Sequence, residues 1–297
     1  MTNILIIGAN GFTGRRMLND YAGKPEYNVT GCSLREDIQP GESYRFIRTD
    51  VRNEAAVEAL FNETQPDIVI NTSALSVPDY CETHHDEAFA TNVTAVEILA
   101  NSCEKYKSRF IHLSTDFVFD GKSNRLYNEQ DLPRPVNYYG VTKLEGEKRV
   151  AACCSNYAIV RVVVVYGKAL PGQHGNILQL VANRLRNGEE IRVVSDQWRT
   201  PTYVGDISVG VEQLMNHPVN GIYHICGSEC LTVAGIAYRV ADYLKLDRSL
   251  IRPVTTEEMQ EATPRPRFSG LSIEKAQREL GYTPHSLEEG IKRLFEE

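Results

Sequence analysis

The stretch that decides the fold is Asn3-Ile4-Leu5-Ile6-Ile7-Gly8-Ala9-Asn10-Gly11-Phe12-Thr13-Gly14-Arg15-Arg16-Met17-Leu18. An apolar strand runs into three glycines, and a helix opens directly after them. The first glycine lets the backbone reverse, the second lets it approach a pyrophosphate, and the third permits close contact between helix and strand. A helix N-terminus placed there offers unpaired N–H groups to phosphate oxygens. Strand, triplet and helix in this order predict a dinucleotide cradle built from Gly8, Asn10, Gly11, Phe12, Thr13 and Gly14.

Outward from this loop, strand candidates at 28–33, 45–48, 68–72, 109–114 and 158–166 alternate with stretches long enough for crossover helices. That alternation predicts an α/β chain, a Rossmann-type doubly wound parallel sheet with a smaller α/β C-terminal substrate lobe. The boundaries are 1–167 with 204–226 for the nucleotide domain, and 168–203 with 227–297 for the lobe.

The chain has 297 residues, 42% of them hydrophobic and 24% charged, so a sizeable core is within reach and a disordered chain is excluded. Its net charge of −7 gives no general attraction to nucleic acid or to anionic membranes. An anionic ligand must therefore be met locally. The apolar runs fall far short of a bilayer span. Seven cysteines in no framework spacing fit a reducing, cytoplasmic setting, with Cys226 and Cys230 as ordinary thiols. No metal-ligand spacing stands out, and His84-His85 reads as a solvated loop.

Cofactor choice is read at the end of the second strand, Gly31-Cys32-Ser33-Leu34-Arg35. A carboxylate there would bind ribose hydroxyls and repel a 2′-phosphate. Ser33 and Arg35 instead suit a phosphate, which favours NADPH, with NADH as the alternative because Glu36 and Asp37 follow. Asp50, beside Val51, suits the adenine amino group or a helix cap.

Tyr139 and Lys143, four residues apart, share one helical face. A phenol is a poor proton donor or acceptor near pH 7 unless a cation stabilises its phenolate, and Lys143 supplies one. The preceding strand ends in Ser114-Thr115-Asp116, at the carboxyl edge where open α/β sheets bind ligands. Thr115 there can polarise a carbonyl beside Tyr139, which makes hydride transfer the leading chemistry. His112 reads as a satisfied core residue.

These residues resemble the extended short-chain dehydrogenase/reductases and, within them, the dTDP-4-dehydrorhamnose reductase family, over nearly the whole chain. The resemblance rests on Gly8-x-x-Gly11-x-x-Gly14, Asp67–Ala74, Ser114-Thr115-Asp116-Phe117-Val118-Phe119-Asp120-Gly121, Tyr139–Glu147, Val165-Tyr166-Gly167 and Asp196-Gln197-x-x-x-Pro201-Thr202-Tyr203. It implies Thr115, Tyr139 and Lys143 as the catalytic triad, with Tyr139 also touching the cofactor and Lys143 holding the nicotinamide ribose, and it implies Thr72, Ser73, Ala74 and Asn92 as further cofactor contacts. It implies an oxidoreductase of nucleotide-sugar metabolism in rhamnose biosynthesis, with a sugar-nucleotide substrate. Ser114, Asp116, Val118, Val164, Asn176, Gln197, Trp198, Thr202 and Arg265 are the substrate-side candidates, with Arg267 beside them. Two positions depart from the pattern: Val164 stands where the family commonly has tryptophan, and Phe268 where it has asparagine. A sugar-nucleotide epimerase or dehydratase and a regulatory subunit like the methionine adenosyltransferase β subunit are the rival readings. A homodimer is left open.

Overall fold

The structure, a computed structural model, describes residues 1–173 and 175–296. In chain order the elements are β1 (Thr2–Ile7), α1 (Phe12–Tyr21), β2 (Tyr27–Ser33), β3 (Arg45–Arg48), α2 (Glu54–Thr64), β4 (Ile68–Asn71), α3 (Pro78–Thr83), α4 (His85–Phe89), a π-helical turn (Ala90–Thr94), α5 (Ala95–Tyr106), β5 (Arg109–Thr115), a 3-10 turn (Asp116–Val118) and α6 (Tyr138–Cys153). There follow β6 (Tyr157–Val162), β7 (Val165–Tyr166), α7 (Ile177–Arg186), β8 (Ile191–Val194), β9 (Trp198–Arg199), β10 (Thr202–Tyr203), α8 (Val204–Met215), β11 (Gly221–His224), β12 (Leu231–Thr232), α9 (Val233–Leu244), β13 (Ile251–Val254), α10 (Thr256–Met259), α11 (Glu274–Leu280) and α12 (Leu287–Glu296).

Among the described residues one seven-stranded sheet has the order β3-β2-β1-β4-β5-β6-β11, with parallel neighbours throughout. This is the Rossmann-type arrangement expected from the alternation. Its central strands are apolar on both faces because helices cover both: Leu5, Ile7, Val69 and Phe110 pack with α2 and α5, while Ile4, Ile6, Ile70 and Ile111 pack with α1 and α8. A second core forms from α7, α9, α12, β8 and β13 around Leu178, Val181, Ile236, Val240 and Ile291.

Two expectations are corrected. The single strand read over 158–166 is interrupted, because Val164 has a left-handed φ of 38°. The hydroxyl of Thr202 donates to Val163 O at 2.7 Å and its N–H to Val164 O at 3.1 Å, so β7 leaves the sheet and pairs with β10. The segment 227–297 is not confined to the second lobe. Leu271, Ile273, Ala276 and Tyr282 pack into the first core, bringing α11 against β11 and α8.

Candidate active site

The glycine loop is shaped by its own contacts. Gly8 takes a φ of +82°, and a Cβ there would sit 2.7 Å from Ser73 N and from Thr72 Oγ1. A Cβ on Gly14 would lie 2.3 Å from Gly8 O, so α1 can meet the loop only through glycine. Thr72 locks this contact by donating to Ile7 O at 2.8 Å. Gly11 caps α1 without a side-chain hydrogen bond, which leaves the first-turn N–H groups of Phe12 and Thr13 for an anion. The cradle fits a pyrophosphate, with no room for a side chain between loop and helix.

The chain beyond β2 is organised by a residue the motif reading passed over. Arg15, buried, donates to Asn10 Oδ1 at 2.9 Å and Tyr44 OH at 2.9 Å and pairs with Asp37 at 2.5 Å. Burial pushes the Asp37 carboxyl up, but the Gln39 N–H, Tyr44 and Arg15 outweigh it and hold the carboxyl below its usual range. Asn10 donates to Glu36 O at 2.8 Å and Arg35 O at 3.2 Å, tying the glycine loop to the chain beyond β2. Glu36 faces Arg48 at 3.4 Å, and Arg35 is exposed beside the half-buried Ser33. Asp50 is turned onto Arg52, accepting its backbone and side-chain nitrogens at 2.8–3.0 Å, while Val51 packs with the core below and Asn53 caps α2. Ser73 donates to Asn71 Oδ1 at 2.6 Å, and Ala74 follows half-buried. Asn92, fully buried in the π-helical turn, clamps both backbone groups of Leu75 and donates to Thr142 Oγ1 at 3.0 Å.

The catalytic candidates meet at the end of β5. Asn137 caps α6 by accepting from Gly140 N at 2.8 Å, which fixes the first helical turn. Gly140 presses on Phe117 O, where a Cβ would come within 2.2 Å, so Tyr139 is carried against the turn that follows Thr115. Tyr139 is buried and lies edge-on to Phe117 with ring centroids 5.8 Å apart. Burial pushes its phenol well above the ordinary value, and the Thr115 hydroxyl draws it partly back. Thr115 Oγ1 accepts from Phe117 N at 3.2 Å and donates to Asp116 Oδ1 at 3.1 Å. Lys143, also buried, donates to Leu113 O at 2.7 Å. Burial lowers its pKa to about 8, with the Glu147 carboxylate opposing that fall. His112 faces Asn71 across 3.1 Å and has no partner for Nε2 among the described residues; burial and then Lys143 keep it neutral.

Two side chains without an assigned role from the motifs stand behind this centre. Glu147 accepts from Ser114 Oγ at 2.5 Å and from Arg161 Nε and Nη2 at 2.9 and 2.6 Å, all buried. The available signal was Arg161 itself, a charge interrupting an apolar strand, together with the helical spacing of Glu147 from Lys143.

Among the residues expected to face a substrate, Asp116 is buried and accepts the Ser269 hydroxyl, with Arg199 Nε 4.0 Å away. Burial pushes its carboxyl up, against Arg199, Ser269 and Thr115. Trp198 is half-exposed on β9, bridged to Phe268. Val164 packs at the edge of the first core and Val118 lies inside it. Several candidates are engaged within the protein. Ser114 is held by Glu147, and Thr202 by Val163 O. Asn176 caps α7 and donates to Gly167 O at 2.8 Å. Gln197 accepts from Arg199 and donates to Glu261 at 2.7 Å. Arg265 Nε lies 2.8 Å from Glu261 Oε1 without hydrogen-bond geometry, and its Nη2 is 3.5 Å from Asp79. Arg267, half-exposed, pairs with Glu257. His84 and His85 stack on Tyr80 and Tyr138, and no cluster of metal ligands occurs among the described residues.

The family described as RmlD substrate binding domain matches residues 1–297. The methionine adenosyltransferase 2 subunit beta of Xenopus laevis is 33% identical, over 92% of this chain and 81% of its own. The spore coat polysaccharide biosynthesis protein SpsK of Bacillus subtilis is 30% identical, over 100% of this chain and 98% of its own. The crystal structure of dTDP-4-dehydrorhamnose reductase from Bacillus anthracis in complex with NADP has a TM-score of 0.85 at 28% identity, covering 99% of each chain.

Proposed function

The chain belongs to the RmlD substrate binding domain family, and from that premise we propose that it reduces the 4-keto group of a nucleotide-activated deoxysugar with NADPH, taking dTDP-4-dehydrorhamnose to dTDP-L-rhamnose. The observation that carries this reading is the convergence of Thr115, Tyr139 and Lys143 at the carboxyl edge of β5, beside a loop shaped for a pyrophosphate. A bound nicotinamide supplies the hydride there.

The chain's own groups do the rest. Burial keeps the Tyr139 phenol protonated but makes it a weaker acid, so giving its proton to the oxygen developing at the sugar's C4 depends on the basicity of that alkoxide and on a nearby cation. Thr115 takes an N–H from Phe117, which fixes its oxygen beside that position, and its proton turns from Asp116 to the carbonyl. The Lys143 ammonium stabilises the phenolate that Tyr139 leaves behind and holds the nicotinamide ribose. At the ribose end the carboxylates that follow Ser33 each face an arginine, Asp37 with Arg15 and Glu36 with Arg48. That lowers the repulsion a 2′-phosphate would meet, and with exposed Arg35 it supports NADPH over NADH. The Bacillus anthracis relative carries NADP.

NADPH oxidation with freshly generated dTDP-4-keto-6-deoxy-L-hexose tests the reading, and turnover with substrate-dependent saturation is expected. Tight NADPH binding without turnover would replace it with a regulatory role, which the similarity to the methionine adenosyltransferase subunit favours.

A further inference from the structure

Resting on the reductase reading, we propose that Glu147 is a positioning residue that locks the catalytic helix to the catalytic strand and sets its carboxylate one helical turn from the Lys143 ammonium. Tyr139, Lys143 and Glu147 follow one another at four-residue steps along α6, so they share one face. Glu147 reaches from that face to Ser114, the residue before Thr115, and to Arg161 on β6. One carboxylate thus ties together the helix that carries Tyr139, the strand that carries Thr115, and the next strand of the sheet. Arg161 is fixed in turn over the Phe119 ring, 5.1 Å from its centroid.

Cohesion alone does not explain a charge here. A buried ion pair is weak support for stability, since well-packed apolar side chains of the same volume do as well or better. What apolar side chains cannot supply is a negative charge one turn from a buried ammonium. The groups around Lys143 leave that task to Glu147. On α6 itself, Tyr139 is a neutral phenol; from β5, His112 is neutral; in the turn after β5, the Asp116 carboxyl acts on Tyr139; from β6, Arg161 is positive; and from α3, Cys81 is a protonated thiol. Burial pulls the Lys143 pKa down to about 8, and Glu147 is what holds it from falling further.

The test follows the Lys143 15Nζ resonance through a pH titration, assigned by its loss in Lys143→Met, in wild type, Glu147→Gln and the double variant Glu147→Gln/Arg161→Met. The midpoint should be highest in wild type, lower in the double variant, and lowest in Glu147→Gln, where Arg161 remains without its counter-charge. The total displacement expected is on the order of one pH unit. The alkaline limb of NADPH oxidation should move by the same amount in each variant. The double variant removes the stranded charge, so a usable fold is retained even if Glu147→Gln unfolds. Midpoints that coincide in folded wild type and double variant would overturn the proposal. The resonance titrates whether or not the 4-keto sugar is turned over, so a failure of the reductase reading leaves this result standing by itself.

Discussion

Strand β5 ends between two buried carboxylates that are held differently. Behind Ser114, Glu147 takes two nitrogens of Arg161 at hydrogen-bond distance. In front of it, Asp116 meets Arg199 only at 4.0 Å and is otherwise satisfied by the hydroxyls of Thr115 and Ser269. A two-point contact with a planar guanidinium is rigid. Hydroxyls rotate, so a carboxylate held by them can exchange partners when a polar ligand arrives. The rear of the site is thus built as a fixture and the front as an exchangeable contact, with Thr115 between them.

The sharpest check on that division asks whether chemistry sits between the two carboxylates at all. Tyr139→Phe should lower turnover by about 10²–10⁴ while the NADPH dissociation constant stays within about threefold; steady-state kinetics and fluorescence titration read both. Next comes the rear fixture. Glu147→Ala leaves the Arg161 charge buried and unpaired, which should cost roughly 3–5 kcal/mol in urea unfolding, whereas Asp116→Asn should cost about 1 kcal/mol. Equal losses would erase the distinction.

A pH series probes the same contrast through Lys143. Its folded-state pKa, about 8, lies below the unfolded value of about 10.4. Between those values the unfolded chain binds more protons, so stability rises with pH across this window and the gain is lost as pH falls toward 8. Against Lys143→Met, the wild type should gain roughly 2–3 kcal/mol over that range in denaturant melts. Turnover should run the other way, declining above pH 8 as the ammonium is lost.

Smaller effects belong to the front. Ser269→Ala should cost about 1 kcal/mol and raise KM more than it lowers kcat, since it frees Asp116 without touching Tyr139. Arg267→Ala, at a half-exposed pair with Glu257, should change stability by less than about 0.5 kcal/mol.

The glycine loop, the parallel sheet and the Tyr139/Lys143 face were legible in sequence because each follows from local periodicity or from a conformation only glycine adopts. Arg15 and Glu147 were not, because their roles depend on partners from distant segments: Asp37 and Tyr44 for the first, Ser114 and Arg161 for the second. The break at Val164 escaped because four valines in a row, Val162 to Val165, propose an unbroken strand, and only the reach of Thr202 across the chain ends it. Asn176, Gln197 and Thr202 carry the polar side chains expected of a binding surface, yet they cap, brace and pin their own segments.

The return of Leu271–Tyr282 to the first core has a consequence for how such a chain can vary. The two lobes are interlaced, each assembled from several separated stretches, so no single cut releases either one intact. Exchange of a contiguous module would then cut through a shared core, unlike in beads-on-a-string proteins. A terminal truncation before α11 should therefore disturb the first core, which holds Ala276 and Tyr282, as well as the second, which holds Leu287 and Ile291.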